Sequence, residues 1–406
     1  MRLRLLAATA VVVAVPFSAA AAQATRDSAG IHITDNAGPL LRGARALRIS
    51  ALPILELDAD KGFNYDFGGV AGAVRLSNGF VLVAARSGAQ FRLFDRSGRL
   101  LQTLNEHGAP HRVVAYDHTL AILTGDTVVA AHQRLVTMFA LVGDSLTQVD
   151  AGSSAPSGAP RGIRVSTFSN GSGAFFGFPA PSEHAIGAQW VDSTGVMVQA
   201  RDASLIRDLG RMPYVTFEMT KTGPSTVWLS AIGAPCAGPG GFYYGFGSEF
   251  AIHAYSEQGV PKAIIRRAWK PKPVTDNDWE HWVVEWSRIW VTERGADSLP
   301  AVQRVREEPW AEQLPAFAAC LVARDGKLWV REAHLDDAIS AGSFTDDPIV
   351  PSIWSVFDTS GRWLNDVTMP ARFRPTDIGG DYVMGRSRMG PGRMKVVMYR
   401  LGPGAR

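Results

Sequence analysis

A chain of 406 residues, 46% hydrophobic and 19% charged, with 41 glycines and 24 prolines, can bury a sizeable core and is too apolar to be disordered. Mean hydropathy near zero and the many turn residues favour strands over helices. The formal charge is only +3, two units of it from Arg2 and Arg4, and no Lys/Arg run or basic-aromatic stripe follows, so no nucleic-acid partner is expected.

The first residues read as a secretory leader. Arg2 and Arg4 precede the apolar run LLAATAVVVAVPFSAA, and Ala22-Gln23-Ala24 has the small-x-small form of a cleavage site. Residues 1–24 are therefore expected to be removed, leaving a 25–406 domain in the periplasm or outside the cell. The run is short for a membrane span, and no later segment approaches the required length.

Two short strands, IHITDNAG and ARALRIS–PILELD, come next. The stretch Val74 to Leu101 then sets the pattern. Asn78-Gly79 marks a tight hairpin, FVLVAA runs apolar like a strand covered on both faces, and Ser87-Gly88 and Ser97-Gly98 turn the chain twice more. LQTLN completes a four-stranded antiparallel unit, one blade of a β-propeller. The unit recurs. Phe94–Leu101 matches Phe357–Leu364 at six of eight positions, and Asn78-Gly79 corresponds to Asp325-Gly326. The spacing from turn glycine to phenylalanine is 15 residues in the first copy and 31 in the second, so the second carries an insertion near AISAGSFTDDPIVPS.

A second blade is expected over 111–149 and an irregular third over 162–217, with Thr194-Gly195 as a turn. The fourth, 224–268, is read as TVWLS, a Gly/Pro insertion around Cys236, and then GFYYGF, FAIHAYS and PKAIIRR. Thr275 and Asp278 then form a capping box, and Trp279, Trp282, Trp286 and Trp290 fall on one face of a helix near 275–294. Burial against the propeller explains that stripe; an aromatic lid over a ligand is the functional alternative, which makes Trp286 a candidate ligand contact. The fifth blade spans 316–370. The sixth, 374–401, lacks a strand that the 44–58 region can supply, closing the ring as edge-free architectures require. The expected fold is all-β: a single six-bladed propeller of four-stranded antiparallel blades with one inserted helix, and a monomer.

The two cysteines, Cys236 and Cys320, are either a disulfide worth about 4 kcal/mol in the chain-entropy description or two buried thiols. Nothing has the spacing of a zinc site, a calcium loop, a nucleophile elbow or a phosphate-binding loop, so no metal or cofactor is expected. A ring of ligands from different blades would leave no such spacing. His107, His111 and Arg112, between the first and second blades, are the remaining candidate binding residues. Asp95 and Asp358 are expected to bond their own turns.

DSAGIHITDN, FGGVAGAVRLSNGFVLVA, FRLFDRSGRLLQTL, KLWVREA, WSVFDTSGRWL and IGGDYVMG together resemble a family of exported six-bladed β-propellers, NHL/TolB-like in architecture and abundant in Gemmatimonadota. The chain departs from the family's Gly/Pro-rich turn after the first blade, where it reads NEHGAPHR. The resemblance implies a fold and little chemistry. The expected function is a binding or scaffold module for an unknown protein or small molecule. A lactonase-like hydrolase or NHL-lyase-like enzyme acting at the central channel is the alternative, so the question of catalysis stays open.

Overall fold

The computed structural model describes residues 23–58, 69–85, 90–105, 119–132, 135–153, 162–168, 170–177, 184–202, 204–294, 303, 305–338, 348–390 and 393–404. An N-terminal hairpin, β1 (Gln23–Ser28) and β2 (Ile31–Asn36), is followed by β3 (Leu47–Leu57). The first sheet is the meander β4 (Val70–Arg75), β5 (Val81–Ala85), β6 (Gln90–Phe94) and β7 (Leu100–Asn105). The second is β8 (Thr119–Ile122), β9 (Thr127–His132), β10 (Leu135–Val142) and β11 (Ser145–Ser153). The third is β12 (Gly162–Thr167), β13 (Gly173–Gly177), β14 (Gln189–Gln199), β15 (Leu205–Thr220) and β16 (Gly223–Thr226). The fourth contains β17 (Gly233–Gly238), β18 (Gly241–Phe246), β19 (Ala251–Tyr255) and β20 (Pro261–Arg267). A short ribbon, β21 (Lys272–Pro273) and β22 (Gln313–Leu314), brackets α1 (Asp276–Arg294). The fifth sheet is β23 (Phe317–Val322), β24 (Leu328–Glu332), β25 (Ser352–Phe357) and β26 (Trp363–Met369). The sixth is β27 (Phe373–Ile378), β28 (Tyr382–Gly390) and β29 (Arg393–Pro403), with β3 as its fourth strand.

Each sheet packs on its neighbours in sequence, an arrangement consistent with a β-propeller. Separate apolar clusters fill the seams between the first and second, third and fourth, fourth and fifth, and fifth and sixth sheets. Another, with Leu57, Val70, Val83, Tyr382 and Met384, joins the sixth sheet back to the first. All five residues of β5 are buried, as a strand covered on both faces must be. Closure comes from the N-terminus: β3 pairs antiparallel with β29, from Leu57 opposite Val396 to Leu47 opposite Pro403.

The N-terminal segment does more than close the last sheet. Through a two-residue turn with positive φ at Ala29 and Gly30, β1 folds back on β2. β2 adds in parallel to the outer strand of the fourth sheet, β20, so that sheet has six strands. The segment then crosses the fifth sheet. Asn36 Oδ1 accepts from the Trp363 amide at 2.8 Å, Asn36 Nδ2 donates to Gly361 and Arg266 carbonyls, and Thr34 Oγ1 donates to the Ser360 carbonyl. Leu40 and Leu41 amides bond Trp363 and Leu364 carbonyls before β3 begins.

The repeat unit is visible atom for atom. Asp95 Oδ1 accepts from the amides of Ser97 and Arg99 at 2.9 and 3.0 Å and from Ser97 Oγ at 2.6 Å, while Arg99 Nε donates to Oδ2 at 3.0 Å. Asp358 does the same with Ser360 and Arg362. The glycines that follow, Gly98 and Gly361, have φ of 88° and 81°, and a Cβ there would lie 2.9 Å from Leu57 and 2.8 Å from Ile265. Each such turn therefore seats on the outer strand of the preceding sheet. The insertion in the second copy falls between β24 and β25.

Three expectations need correction. TVWLS is not the first strand of the fourth sheet: that strand is β17, the segment read as a Gly/Pro insertion around Cys236. Thr194-Gly195 is not a turn but lies inside the continuous β14. The third and fourth sheets have five and six strands rather than four.

Cys236 on β17 and Cys320 on β23 form a disulfide between the first strands of the fourth and fifth sheets, with Cα atoms 5.6 Å apart. It closes a sequence separation of 84 residues, worth about 4.5 kcal/mol in the chain-entropy description. Replacing both cysteines with alanine is expected to lower the unfolding free energy by about 2–4 kcal/mol. A lower urea midpoint, matched by the wild type under reductant, checks it. The turn carboxylates give a second test. Hydrogen bonds from Ser97 Oγ and from Arg99 hold Asp95 down at about 2; in Asp358, burial pushes upward and the Ser360 and Arg362 bonds overcome it. A folded value below the unfolded one means stability present above the unfolded value and lost as pH falls through the folded one. The melting-temperature difference between wild type and Asp95→Ala should shrink as pH drops from about 4 towards 2.

Candidate functional site

An up-and-down meander places its first-to-second and third-to-fourth connections at one end of the ring. The second-to-third connections and the links to the next sheet lie at the other. The first end is made of tight turns, among them Asn78-Gly79, Ser97-Gly98, Asp325-Gly326 and Ser360-Gly361. The second carries the long connections, including residues 268–316 and 333–351.

At the turn end, groups from three sheets converge on Asp377, which is 7% exposed. Arg324 grips it with two bonds, Nε to Oδ1 at 2.8 Å and Nη2 to Oδ2 at 2.7 Å. The Arg75 amide and the Tyr382 hydroxyl each donate to Oδ2 at 2.8 Å. Burial, then the negative charge of Asp377, push the Tyr382 hydroxyl above its ordinary range. Arg324 also donates to the Arg75 carbonyl, and its amide bonds the Ile378 carbonyl at 2.9 Å. Ser77 extends the chain of bonds to the second sheet, with its amide on Asp126 Oδ1 at 2.9 Å. Both oxygens of Asp377 are engaged by protein donors. A carboxylate so held ties sheets together; removing its charge would strand Arg324. A second inter-sheet network, between the fourth and fifth sheets, is built on Arg267. Its guanidinium bonds Glu332 at 2.5 Å and Ser355, lies 3.8 Å from Asp366, and sits over Phe250 and Trp363 at 4.5 and 4.7 Å. Burial raises the Asp366 carboxyl despite its bonds to Ser355 and its proximity to Arg267.

The loop end is dominated by α1. Its start is a true capping box: the Asp278 amide donates to Thr275 Oγ1 at 3.2 Å, and Thr275 N–H and Oγ1 donate back to Asp278 Oδ2 at 2.9 and 2.7 Å. Trp279, Trp282 and Trp286 stack along the helix with centroids 4.9 and 6.0 Å apart. Trp228 packs across Trp282 and Trp286 at 5.1 and 6.3 Å, and Trp310 stacks on Trp279 at 5.9 Å. Leu229, Ala318 and Ala333 form the floor, so the helix is seated on the fifth sheet and on the segment that leads into the fourth. Trp286 is 5% exposed. Packing of this kind accounts for the tryptophan spacing without a ligand.

On its other side α1 presents polar groups. His281 Nε2 lies 3.5 Å from Asp336 Oδ1, and His334 Nδ1 lies 3.6 Å from Asp336 Oδ2. Asp336 sits on a short 3-10 helix, Leu335–Ala338, just beyond β24. This trio joins helix to sheet at the loop end and was missed in the sequence. His281 and His334 are 53 positions apart, and only the docking of α1 brings them to one carboxylate. The three groups sit at ion-pair distances. Among the described residues no set of three or more His, Cys, Asp or Glu side chains could hold a metal ion. His107, His111 and Arg112 lie outside the described residues. Among the described residues, no helix is long and apolar enough to cross a membrane.

No protein-family model matches the chain, and no curated protein matches it. Solved structures do. A putative exported protein from Bacteroides fragilis is 8% identical over 91% of this chain and 99% of its own, with a TM-score of 0.43. A member of the DUF4221 family from Bacteroides vulgatus is 7% identical over 89% and 100%, with a TM-score of 0.45. A streptogramin B lyase is 9% identical over 87% and 98%, with a TM-score of 0.39. Similarity at this level assigns neither family nor activity.

The geometry gives Trp286 a load in the fold. Trp286→Ala is expected to cost about 3–5 kcal/mol of stability. Chemical denaturation measures it; an unchanged midpoint would return Trp286 to the role of a free ligand contact.

Proposed function

We propose that the chain is an exported six-bladed β-propeller of the NHL/TolB-like kind. On this reading it works as a binding or scaffold module that engages its partner through the loop end of the ring. One observation carries this reading: the two ends are unequal. At the turn end Asp377 is taken up by bonds between sheets, and Asp95 and Asp358 are taken up by bonds to their own turns. At the loop end stands an inserted helix whose apolar side is seated on the ring and whose far side offers His281, Val284 and Glu285. Binding residues are usually carried on connections held by a rigid scaffold. The ligand is a protein or a small molecule, and recognition by α1 and the adjoining Asp336 and His334 requires neither metal nor cofactor.

The His281–Asp336–His334 trio also supports a second reading, a lactonase-like hydrolase or lyase working at the same end. A carboxylate that orients an imidazole is a familiar general-base arrangement. Turnover of a lactone panel by the wild type, lost in Asp336→Ala, would favour it; no turnover above buffer would remove it.

Position-specific cross-linking tests the binding reading. Val284 on α1 is 46% exposed, and Leu205, at the turn end, is 58% exposed. A photoreactive residue placed at Val284 is expected to capture a discrete partner from periplasmic extract, and one at Leu205 is not. Equal capture at both positions, or none at either, rejects the loop end as the binding face.

A further inference from the structure

Gln23 is a working part of the fold, although the small-x-small motif Ala22-Gln23-Ala24 places it in the leader. It is the first residue of β1 and pairs with Asn36; Ala24 pairs with Asp35. The two facing side chains of the Gln23–Asn36 pair grip one residue of another sheet. Gln23 Nε2 donates to the Trp363 carbonyl at 2.9 Å, and the Trp363 amide donates to Asn36 Oδ1 at 2.8 Å. Trp363 is where β26, the outer strand of the fifth sheet, begins. The hairpin is further reinforced by the diagonal contact of Arg26 with Asp35 at 3.5 Å and by the facing pair Asp27 and His32 at 3.0 Å. Cleavage after Ala24 would remove two of the six residues of β1 and one half of the grip on Trp363.

The sequence offers another bond. Ala20-Ala21-Ala22 has the same small-x-small form, and cutting after it leaves Gln23 as the first residue. We propose that the leader is removed by hydrolysis of the Ala22–Gln23 peptide bond, so that the mature chain begins at Gln23 with β1 intact. Water adds across the amide: the carboxylate stays with Ala22 on the leader, and the new amine belongs to Gln23. The site is one for a peptidase that reads small residues at the two positions flanking its variable one. The free end it creates is then tied down at once, by the strand pairs to β2 and by the glutamine side chain on Trp363. The inference rests on the export reading but not on which end of the ring binds.

Intact mass and N-terminal sequencing of the protein recovered from the exported fraction test it. A chain starting at Gln23 is expected. A start at Thr25 overturns this cleavage site and leaves the export reading standing. Absence of the protein from the exported fraction overturns both, and any other start, Met1 included, overturns the site. A paired measurement reads the grip itself. Two forms, started at Gln23 and at Thr25 behind a removable tag, are compared by thermal unfolding. The Thr25 form is expected to melt lower, and identical melting would count against the proposal.

Discussion

A ring of sheets covers the face of every sheet only if its last sheet is completed, and here strands from the N-terminal and C-terminal segments meet to do that. β3 from the N-terminal segment lies against β29 from the C-terminal one, and Leu57 carries the join into the core between the sixth sheet and the first. The same join is fastened at the turn end by Asp377, whose oxygens hold Arg324 of the fifth sheet, Tyr382 of the sixth and the Arg75 backbone of the first. Paired strands supply the area and the buried carboxylate supplies the register. A hydrophobic seam alone tolerates sliding; a carboxylate with four donors tolerates very little.

The seam between the fourth and fifth sheets faces a different demand. Its two sheets are connected by residues 268–316, the longest link in the ring, so the covalent chain does little to hold them together. Non-covalent and cross-linking contacts accumulate there instead. The disulfide lies at the inner strands, Arg267 with Glu332 and Ser355 within the sheets, and Asn36 and Thr34 at the outer rim. The insertion that distinguishes the chain and the clasps around it are two aspects of one arrangement: α1 has a rigid seat because the seam beside it is held at three levels.

The parts legible in the sequence were those governed by local rules. Asp95 and Asp358 announce their turns because a carboxylate two residues before a backbone amide bonds it wherever it occurs. The helix cap at Thr275 and the stripe at Trp279, Trp282 and Trp286 are equally local. β17 was misread because its glycines and proline imitate a loop. The physical reason lies outside the strand: first strands crowd together near the ring axis, and a Cβ at Gly238 would lie 2.8 Å from Val322 of the next sheet. The Asp377 clasp and the His281–Asp336–His334 trio left no trace in spacing, since each is assembled from elements that meet only after the ring has formed. The parallel addition of β2 to β20 is a long-range pairing of the same kind.

The closing strand also has a history. Chains are made from the N-terminus, so β3 exists before the sheets that follow it and long before its partner β29. Throughout that interval β3 is an unpaired strand carrying Leu52 and Ile54, which remain 77% and 49% exposed even in the finished ring. Such a strand is a template for wrong pairing. Pro53, set between those two residues, offers no amide to a stranger, and Ser50 occupies the neighbouring backbone by donating to the Leu52 carbonyl at 2.7 Å. The irregularity in the middle of β3 thus serves the unfinished molecule: it keeps the last piece of the ring unattractive to other chains until the rightful neighbour has been made.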